Sequence, residues 1–283
     1  VKSGCAVDVF TKSSSHKFER ISFVRFARIA PSPFRGRKII PGRLQQPARR
    51  KGNIKQKVKY TRMSYNKLKA LEGNIEAIST ALAIHEERRN ATTAERETLS
   101  KFTGCGGIKE VLSIGTDTPI PDTMQEAVKR LLSVLSKAAK GNETLYRQLL
   151  QSLKSSVLTA FYTPTFLIQA VAKQIKDTFT ANDLKMGTFL EPSAGIGGFL
   201  PVGDMATHRT AFEKDLLTGL VLSALHPDTQ VFIEGFETID SQETEHNRFD
   251  VIASNIPFGD FRVFDNTFSK KRRHLCTGFQ DHP

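Results

Sequence analysis

Short apolar runs alternate with helix-compatible segments in the second half of the chain. Four runs, GTFLEPS, RTAFE, TQVFIEGF and RFDVIASN, are separated by intervals that include GGFLPVGDMA and DLLTGLVLSAL. This alternation predicts βαβ units, whose strands share one parallel sheet with helices packed on both faces. The expected fold class of residues 159–268 is therefore α/β, a doubly wound sheet that is incomplete after its fourth strand.

The region before this sheet, residues 63–158, has the periodicity of amphipathic helices. Its first helix is expected to begin at Ser64 and to end near Arg89, because apolar residues recur there at intervals of three and four. The stripe consists of Leu68, Leu71, Ile75, Ile78 and Leu82. A helical subdomain therefore precedes the sheet, and stripes of this kind are expected to form core rather than a binding site.

Capping signals divide the rest of the helical subdomain into further helices. Thr92 and Thr123 are each followed three residues later by glutamate, which is the spacing of a capping box. Asn142 is expected to cap the next helix through its side chain. Gly104 and Gly141 are expected to end helices, since glycine tolerates the left-handed conformation that commonly follows a helix.

The excess positive charge lies at the start of the chain. Residues 1–62 contain 17 lysines and arginines but two acidic residues, whereas the remainder contains 24 basic and 27 acidic residues. This aperiodic segment is too polar to fold around a core. We interpret it as a disordered or non-native leader before Met63; a polybasic arm that binds phosphates and an organellar transit peptide are the alternatives. Residues 269–283 are interpreted as a basic, irregular tail.

Composition excludes several classes of protein. No apolar run reaches the roughly 18 residues that a membrane helix needs, so no membrane partner is expected. Cys5, Cys105 and Cys276 are far apart and lack the spacing of a disulfide framework or of a metal site. These features predict a cytoplasmic protein without a bound metal.

A strand that runs into closely spaced glycines is the first candidate binding feature. In FLEPSAGIGGFL, Gly195 and Gly197 allow a tight turn and let a ligand lie against the backbone at the carboxyl end of the strand. Eighteen residues after Gly195 the next strand ends at Glu213, whose carboxylate can accept hydrogen bonds from both hydroxyls of a ribose. A solvated glutamate at a strand end is the alternative.

The residues around these glycines differ from a dinucleotide-binding fingerprint. Glu191 and Pro192 precede the turn, and Leu200 stands where the third glycine of that fingerprint would be. A pyrophosphate binds at a helix N-terminus without a nearby negative charge, whereas an acid at Glu191 suits a cationic ligand. S-adenosyl-L-methionine, which has a sulfonium and an ammonium group, is such a ligand and is the expected cofactor.

Three motifs in this order, FLEPSAGIGGF, AFEKD and SNIPFGD, resemble the cofactor, ribose and catalytic motifs of DNA N6-adenine methyltransferases. TAFYTPTFLIQAVAKQI resembles the Phe-Tyr-Thr-Pro segment of the modification subunits of type I restriction systems. NATTAERETLSKFTGCGGIKEVL is similar to a stretch before the methylase module of large methylase/helicase proteins of plasmids and conjugative elements, with Cys105 in place of tryptophan. The resemblance implies a Rossmann-like S-adenosylmethionine-dependent methyltransferase sheet preceded by a helical subdomain.

The resemblance also implies roles for individual residues. Phe161 and Thr163 would cover the methionine part of the cofactor; independently of the resemblance, Thr163 can cap a helix that has Pro164 at its first position. The Asn255 side-chain oxygen and the backbone carbonyl beside Pro257 would accept the two hydrogens of an adenine amine. Phe258 would stack on a base swung out of the duplex. The chain is thereby identified as an adenine-specific DNA methyltransferase, with DNA as its partner.

Other assignments remain open. Phe236 either lies against the cofactor adenine or packs in the core, and Ile256 admits a resemblance to ribosomal RNA adenine dimethyltransferases. Only 28 residues follow Asn255, so the chain is expected to be a fragment with little or no activity alone, whose fourth strand has an open edge. The alternative to an enzyme is a remnant that binds DNA or protein. A helicase domain or a specificity subunit is the further expected partner.

Overall fold

A computed structural model of the chain describes residues 8–12, 18–21, 65–159, 162–241 and 248–256. The helices are α1 (Lys67–Glu87), α2 (Thr93–Leu99), α3 (Asp122–Ala139), α4 (Glu143–Thr159), α5 (Thr165–Ala181) and α6 (Leu216–Leu225). The strands are β1 (Asp8–Lys12), β2 (Phe18–Ile21), β3 (Thr188–Glu191), β4 (His208–Phe212), β5 (Gln230–Phe232) and β6 (Val251–Ser254). None of the described helices is long and apolar enough to cross a membrane.

Local capping signals set the starts of α2 and α4. The Thr92 hydroxyl accepts a hydrogen bond from the Glu95 backbone N–H, and the Glu95 carboxylate accepts one from the Thr92 backbone N–H at 2.8 Å, which confirms the capping box. The Asn142 side chain likewise accepts a hydrogen bond from the Leu145 N–H at 3.0 Å. These caps satisfy N–H groups that have no partner within the helix.

Two expected helix boundaries in the helical subdomain, those at Thr123 and Gly104, are wrong. α3 has Pro121 as its N-cap residue and no side-chain cap, so Thr123 does not cap it. The fixed φ of proline already suits the start of a helix. α2 ends at Leu99, whereas Gly104 lies five residues farther along with a φ of 61° and belongs to the following loop. A glycine near the end of an apolar pattern therefore does not fix where the helix ends.

The segment 197–206, which was expected to be helical, is mostly a turn. Only Leu200–Gly203 within it is helical, and this stretch is a short 3₁₀ helix. Glycine and proline are the residues that cost most in an α-helix, about 1 and about 3 kcal/mol relative to alanine, and the segment contains both. The connection from β3 to β4 therefore lacks the α-helix of a regular βαβ unit.

α6 belongs to two hydrophobic cores. Its residues that pack with α1–α4 are Leu217, Leu220, Val221 and Ala224. The α1 stripe contributes Leu71, Ile75 and Ile78 to this core. Leu222 of α6 packs instead with the sheet, and a Cβ atom added to Gly219 would be 2.8 Å from the side chain of Ile233, so α6 lies close to the chain after β5. A helix that is apolar on most sides is buried in this way.

The described sheet has six strands in the order β2-β1-β6-β3-β4-β5. β6, β3, β4 and β5 are parallel, with Phe189 paired both to Val251 and to Arg209. β1 is antiparallel to β6, with Asp8 paired to Ser254, so the expected open edge at the fourth parallel strand is wrong. Because β4 and β6 flank β3 on opposite sides, the strand order reverses at β3.

The two α-helices of the sheet region, α5 and α6, pack on one face of the sheet. Side chains on this face include Phe189, Ala211 and Val251 of the strands and Ile168 and Ile175 of α5. Those on the opposite face include Leu190, Phe212, Ile252 and Ile239. Among the described residues no α-helix joins this second cluster, so the helical layer that a doubly wound sheet needs there stays a prediction.

Candidate functional site

The carboxyl ends of β3, β4 and β6 lie at one edge of the sheet. Parallel pairing brings Glu191 at the end of β3, Glu213 just after β4 and Asn255 just after β6 to this edge. The Ser254 hydroxyl donates a hydrogen bond to the Ser193 carbonyl at 3.1 Å, which ties the end of β6 to the segment after β3. In open α/β sheets, ligands bind at the edge where the strand order reverses.

The segment 194–198, the glycine turn, reverses the chain at this edge. Gly195 and Gly197 have φ angles of 58° and 85°, which glycine adopts without strain. The positive φ expected of this turn is therefore confirmed. The Ala194 N–H donates to the Phe212 carbonyl at 2.9 Å, so the turn is anchored to the end of β4.

Glu213 holds the glycine turn from the neighbouring strand. Its two carboxylate oxygens accept hydrogen bonds from the backbone N–H groups of Gly195 and Asp215, each at 2.8 Å. Burial raises the pKa of Glu213 to about 7; the hydrogen bonds act in the opposite direction, and the charge of Asp215 adds to the increase. Each carboxylate oxygen has a second lone pair, so the group can also accept hydrogen bonds from the hydroxyls of a ligand.

Glu191 is a buried carboxyl group, with 1% of its surface exposed. One oxygen accepts a hydrogen bond from the Phe199 N–H at 3.0 Å, and the other has no hydrogen-bond partner among the described residues. Burial raises the pKa of Glu191 well above its usual value, and the charge of Glu213 contributes to the increase. Pro192, which follows it, is buried as well. A cationic group beside this carboxyl would shift it back toward the ionised form.

Tyr162 lies over the glycine turn. A Cβ atom added to Gly195 would be 3.0 Å from Tyr162 Cε1, so the phenol ring packs against the bare backbone of that glycine. Thr163 is half-buried beside it. α5, however, has Pro164 as its N-cap residue and no side-chain cap, so the predicted capping role of Thr163 is wrong. The fixed φ of proline again replaces a hydroxyl cap.

Phe236 stands beyond β5 at the start of a short 3₁₀ helix, Phe236–Ser241. Its ring meets the Phe212 ring edge-on, with 5.6 Å between the centroids, and Phe212 stacks on Phe232 at 4.8 Å. Phe236 is 36% exposed, so it has both a core contact and a surface open to a ligand. The structure is therefore compatible with both alternatives for this residue.

Of the three predicted catalytic residues, Asn255 is the one that lies within the described residues. It is half-buried directly after β6, at the sheet edge that also carries the glycine turn. Pro257, Phe258 and Phe161 lie outside the described residues. The structure thus brings Asn255 to the same edge as Glu191 and Glu213, and the roles predicted for the three side chains stay predictions.

Sequence reasoning missed two residues that contact the glycine turn, Tyr162 and His226. His226 is the C-cap residue of α6, and its ring Nε2 is 3.0 Å from the Ile196 carbonyl oxygen. Tyr162 had a signal, because it belongs to the Phe-Tyr-Thr-Pro segment that we related to the cofactor. His226 had none, because its contact depends on how α6 packs against the turn.

A cavity of about 370 Å³ lies between α1 and α6. Its walls include Ile84 and Leu220 of the helical core, and Arg89 beside it is bound to Glu87 and Glu95. None of the predicted site residues that the structure describes lines this cavity. Within the described ranges, no group of three or more His, Cys, Asp and Glu side chains is arranged to hold a metal ion.

Comparison with known proteins finds similarity to one phage protein. No family model matches the chain, and no solved structure matches it. The chain is similar to Defense against restriction protein B of Escherichia phage P1, with 28% identity over 158 residues. The match covers 54% of this chain but 7% of that protein, so the chain spans a small part of the relative's length.

This comparison overturns the function that we assigned from the motifs. The similar protein is, by its name, an anti-restriction protein and not a DNA methyltransferase. The predictions of a DNA N6-adenine methyltransferase related to restriction modification subunits, and of an enzyme that methylates adenine, are therefore wrong. The alternative of a ribosomal RNA methyltransferase falls with them. The physical reason is that the same fold and similar motifs occur in proteins of unrelated function, so a glycine turn beside a strand-end carboxylate does not determine a reaction.

Proposed function

We propose that this chain is part of an anti-restriction protein and that its sheet edge binds an adenosyl ligand, S-adenosyl-L-methionine. The name of the similar phage protein supports the first part of the proposal. The second part depends on one observation: the Glu213 carboxylate is hydrogen-bonded to the glycine turn at the edge where the strand order reverses. Binding of the ligand is what we propose, without a reaction on it.

Each part of the ligand has a matching feature at this edge. Glu213 retains lone pairs for the two ribose hydroxyls, and the glycine turn leaves backbone uncovered beside them. Phe236 offers an exposed aromatic surface to the adenine. Glu191 supports a cationic ligand, because a sulfonium or ammonium group nearby would offset the cost of ionising this buried carboxyl. Tyr162 would lie beside the ligand on the outer side of the turn.

DNA is the partner that we propose for the whole protein, because restriction acts on DNA. Residues 1–62, with 17 basic residues against two acidic ones, would contribute contacts to phosphates. Such binding weakens by orders of magnitude between about 50 and about 200 mM salt, and a mobility-shift titration with duplex DNA over this range measures it. A helicase domain or a specificity subunit as a further partner is a proposal that rests on the sequence resemblance alone.

Calorimetric titration of the full chain with S-adenosyl-L-methionine tests ligand binding. We expect saturable heat from the wild type. We expect affinity about 10- to 100-fold lower for Glu213→Gln, since a hydrogen bond to a charged group contributes about 1.5–3 kcal/mol. Glu143→Gln is the matched control, because Glu143 is an exposed residue of α4 paired with Arg147, and its affinity should equal that of the wild type.

S-adenosyl-L-homocysteine lacks the sulfonium charge. Comparing its affinity with that of S-adenosyl-L-methionine shows how much the charge of the ligand contributes to binding. We expect S-adenosyl-L-homocysteine to bind more weakly than S-adenosyl-L-methionine to the wild type, and the difference to shrink in Glu191→Gln. Absence of heat with both ligands would contradict the binding proposal. The anti-restriction proposal has its own test: survival of unmodified DNA entering a restricting host should rise when the chain is expressed, and unchanged survival would contradict it.

A further inference from the structure

His226 lies directly against the glycine turn. Its Nε2 is 3.0 Å from the Ile196 carbonyl oxygen, and a Cβ atom added to Gly197 would be 2.7 Å from the same nitrogen. The imidazole thus occupies the space that the absent side chain of Gly197 leaves. Gly197 is required at this position for two reasons, its φ of 85° and the presence of this ring.

The environment of His226 favours the neutral imidazole. Burial lowers the pKa of His226, and the nearby positive charges of Arg209 and Arg96 act in the same direction. The Ile196 carbonyl and the charge of Asp228 act in the opposite direction and do not outweigh burial. A neutral ring can hydrogen-bond a carbonyl only as a donor, so we assign the proton to Nε2 and the lone pair to Nδ1.

Two side chains that lie before and after α6 in the chain, Glu213 and His226, contact the glycine turn. Near the N-terminal end, Glu213 accepts a hydrogen bond from the Gly195 N–H. At the C-terminal end, His226 contacts the carbonyl of Ile196, one residue farther along the turn. These side chains thus bind one donor and one acceptor of the turn's backbone; the Glu213 contact depends on the end of β4, and the His226 contact depends on the position of α6.

We propose that His226 is a positioning residue for the adenosyl-ligand site: its Nε2–H and its ring hold Ile196 and Gly197 in the conformation that the ligand requires. The inference rests on the proposed function for its effect on affinity. The hydrogen bond itself is a property of the unliganded chain, and it can be tested without any ligand.

Two substitutions separate the donor from the ring. His226→Phe keeps a ring and removes the donor, and its affinity for S-adenosyl-L-methionine should fall about 3- to 10-fold, the equivalent of one hydrogen bond. His226→Gln keeps an N–H donor without a titrating ring, and its affinity should stay within about twofold of the wild type if the donor is what matters. His208→Phe is the matched control, because His208 is exposed at the opposite end of β4.

Nuclear magnetic resonance of the imidazole nitrogens in the unliganded full chain provides the independent readout. We expect the Nε2–H tautomer for His226 at neutral pH and a slowly exchanging Gly197 amide that becomes faster in His226→Phe. An Nδ1–H tautomer, or equal affinity of wild type and His226→Phe, would overturn the inference. If the wild type binds no ligand, the proposed function fails, and the tautomer and the amide exchange still decide whether His226 holds the turn.

Discussion

Two buried polar side chains, one in the helical region (residues 65–159) and one at the sheet edge, are satisfied to different degrees. The Asn74 nitrogen donates to the Gly104 carbonyl at 2.8 Å, and its oxygen accepts from the Thr103 N–H at 2.8 Å. Glu191 is similarly buried, but one of its oxygens has no hydrogen-bond partner among the described residues. In Asn74 both the nitrogen and the oxygen of the amide are hydrogen-bonded, whereas in Glu191 only one of the two carboxyl oxygens is.

This difference in hydrogen bonding suggests different roles for the two side chains, stability for Asn74 and ligand binding for Glu191. A buried amide with satisfied ends fixes the loop that it holds and costs little in the folded state. A buried carboxyl with a raised pKa and an unused oxygen is unfavourable, and such groups concentrate where a ligand or a reaction needs them. Glu213 shares the raised pKa, which is about 7, although it is half-buried and both of its oxygens accept backbone hydrogen bonds. We infer that the helical region supplies stability and the sheet edge supplies binding.

Asn74→Ala should have the largest effect on stability. It tests whether the buried amide stabilises the helical region. The substitution removes the two 2.8 Å hydrogen bonds of the amide and leaves the buried Gly104 carbonyl with only the Thr103 hydroxyl, at 3.4 Å, as a donor. An unpaired buried group costs about 1–3 kcal/mol and a lost hydrogen bond about 1 kcal/mol, so the free energy of unfolding should fall by about 3 kcal/mol. Urea denaturation followed by circular dichroism measures the change.

Asn90→Ala is the matched control for this substitution, because Asn90 is an exposed residue after α1. Its free energy of unfolding should stay within about 0.5 kcal/mol of the wild type. Ligand affinity of folded Asn74→Ala should also match the wild type. A large loss of affinity with unchanged stability would show that the buried amide serves the binding site, and the comparison would fail.

Gly197→Ala, at the sheet edge, and Gly141→Ala, in the helical region, can be compared directly because the two glycines have similar φ angles of 85° and 80°. A Cβ atom at Gly141 meets nothing within 4 Å, whereas one at Gly197 would be 2.7 Å from both His226 Nε2 and Leu200 Cδ1. The backbone strain of alanine in this conformation is about 1–2 kcal/mol in either place. We expect Gly197→Ala to lose about 1 kcal/mol more than Gly141→Ala, because overpacking adds its own cost.

Ligand affinity distinguishes these variants more sharply than stability does. Calorimetry should give wild-type affinity for Gly141→Ala and at least a tenfold loss for Gly197→Ala, about 1.4 kcal/mol, because the turn must move to accept the methyl group. Thermal unfolding of both variants gives the stability difference. Equal affinity in the two variants would mean that the glycine turn does not contact the ligand.

Glu213 should make the stability of the chain depend on pH with a sign opposite to that of an ordinary carboxylate. Its pKa is about 7 in the folded chain against an ordinary value of 4.5. The folded chain therefore binds the proton more tightly, and the free energy of unfolding falls as the pH rises from 4.5 to 7. Between pH 5 and 8 we expect the wild type to lose about 2–3 kcal/mol relative to Glu213→Gln.

Urea denaturation at several pH values measures this dependence, with Glu143→Gln as the control that should follow the wild type. The affinity for S-adenosyl-L-methionine should change in the other direction and increase as the pH rises through 7, because the ionised carboxylate is the better acceptor for ribose hydroxyls. Parallel pH dependences of stability for wild type and Glu213→Gln would show that burial does not perturb this group.

The sequence predicted the parts of the fold that depend on neighbouring residues. The stripe of α1, the Thr92 capping box and the four parallel strands all appear where the local pattern indicates them. Thr123, Thr163 and Gly104 failed as boundary signals. A neighbouring proline is the N-cap residue in place of Thr123 and Thr163, and α2 ends at Leu99, before Gly104. The spacing of capping residues in a sequence does not show which of several nearby residues forms the helix boundary.

The candidate site could be predicted only in part, for a related reason. Glu213 follows β4 directly and Gly195 lies four residues after β3, and parallel pairing is enough to bring strand ends together. The contact of His226 and the pairing of β1 with β6 depend on packing between distant segments, which leaves no periodic pattern in the sequence. The predicted function was wrong for a different reason: similar motifs occur in proteins of unrelated function, so they do not determine what a protein does.

Ser152→Ala has the smallest expected effect and tests whether the two regions act separately. The Ser152 hydroxyl on α4 donates to Asp215 Oδ2 at 2.7 Å and accepts from the Leu217 N–H at 2.9 Å. The Asp215 N–H is in turn one of the two donors that hold Glu213. We expect the free energy of unfolding to fall by about 1–2 kcal/mol, since a nearly buried hydroxyl with two partners is lost.

Measuring ligand affinity shows whether the hydrogen bond between Ser152 and Asp215 also positions the ligand site. If α4 positions Glu213 through Asp215, Ser152→Ala should also bind S-adenosyl-L-methionine about two- to threefold more weakly, a fraction of one hydrogen bond, because the link is indirect. Ser136→Ala, an exposed serine on α3, is the control and should change neither quantity. Lower stability with wild-type affinity would mean that the helical region only supports the fold. Lower affinity would mean that it also positions the ligand site, since no part of Ser152 belongs to the sheet edge.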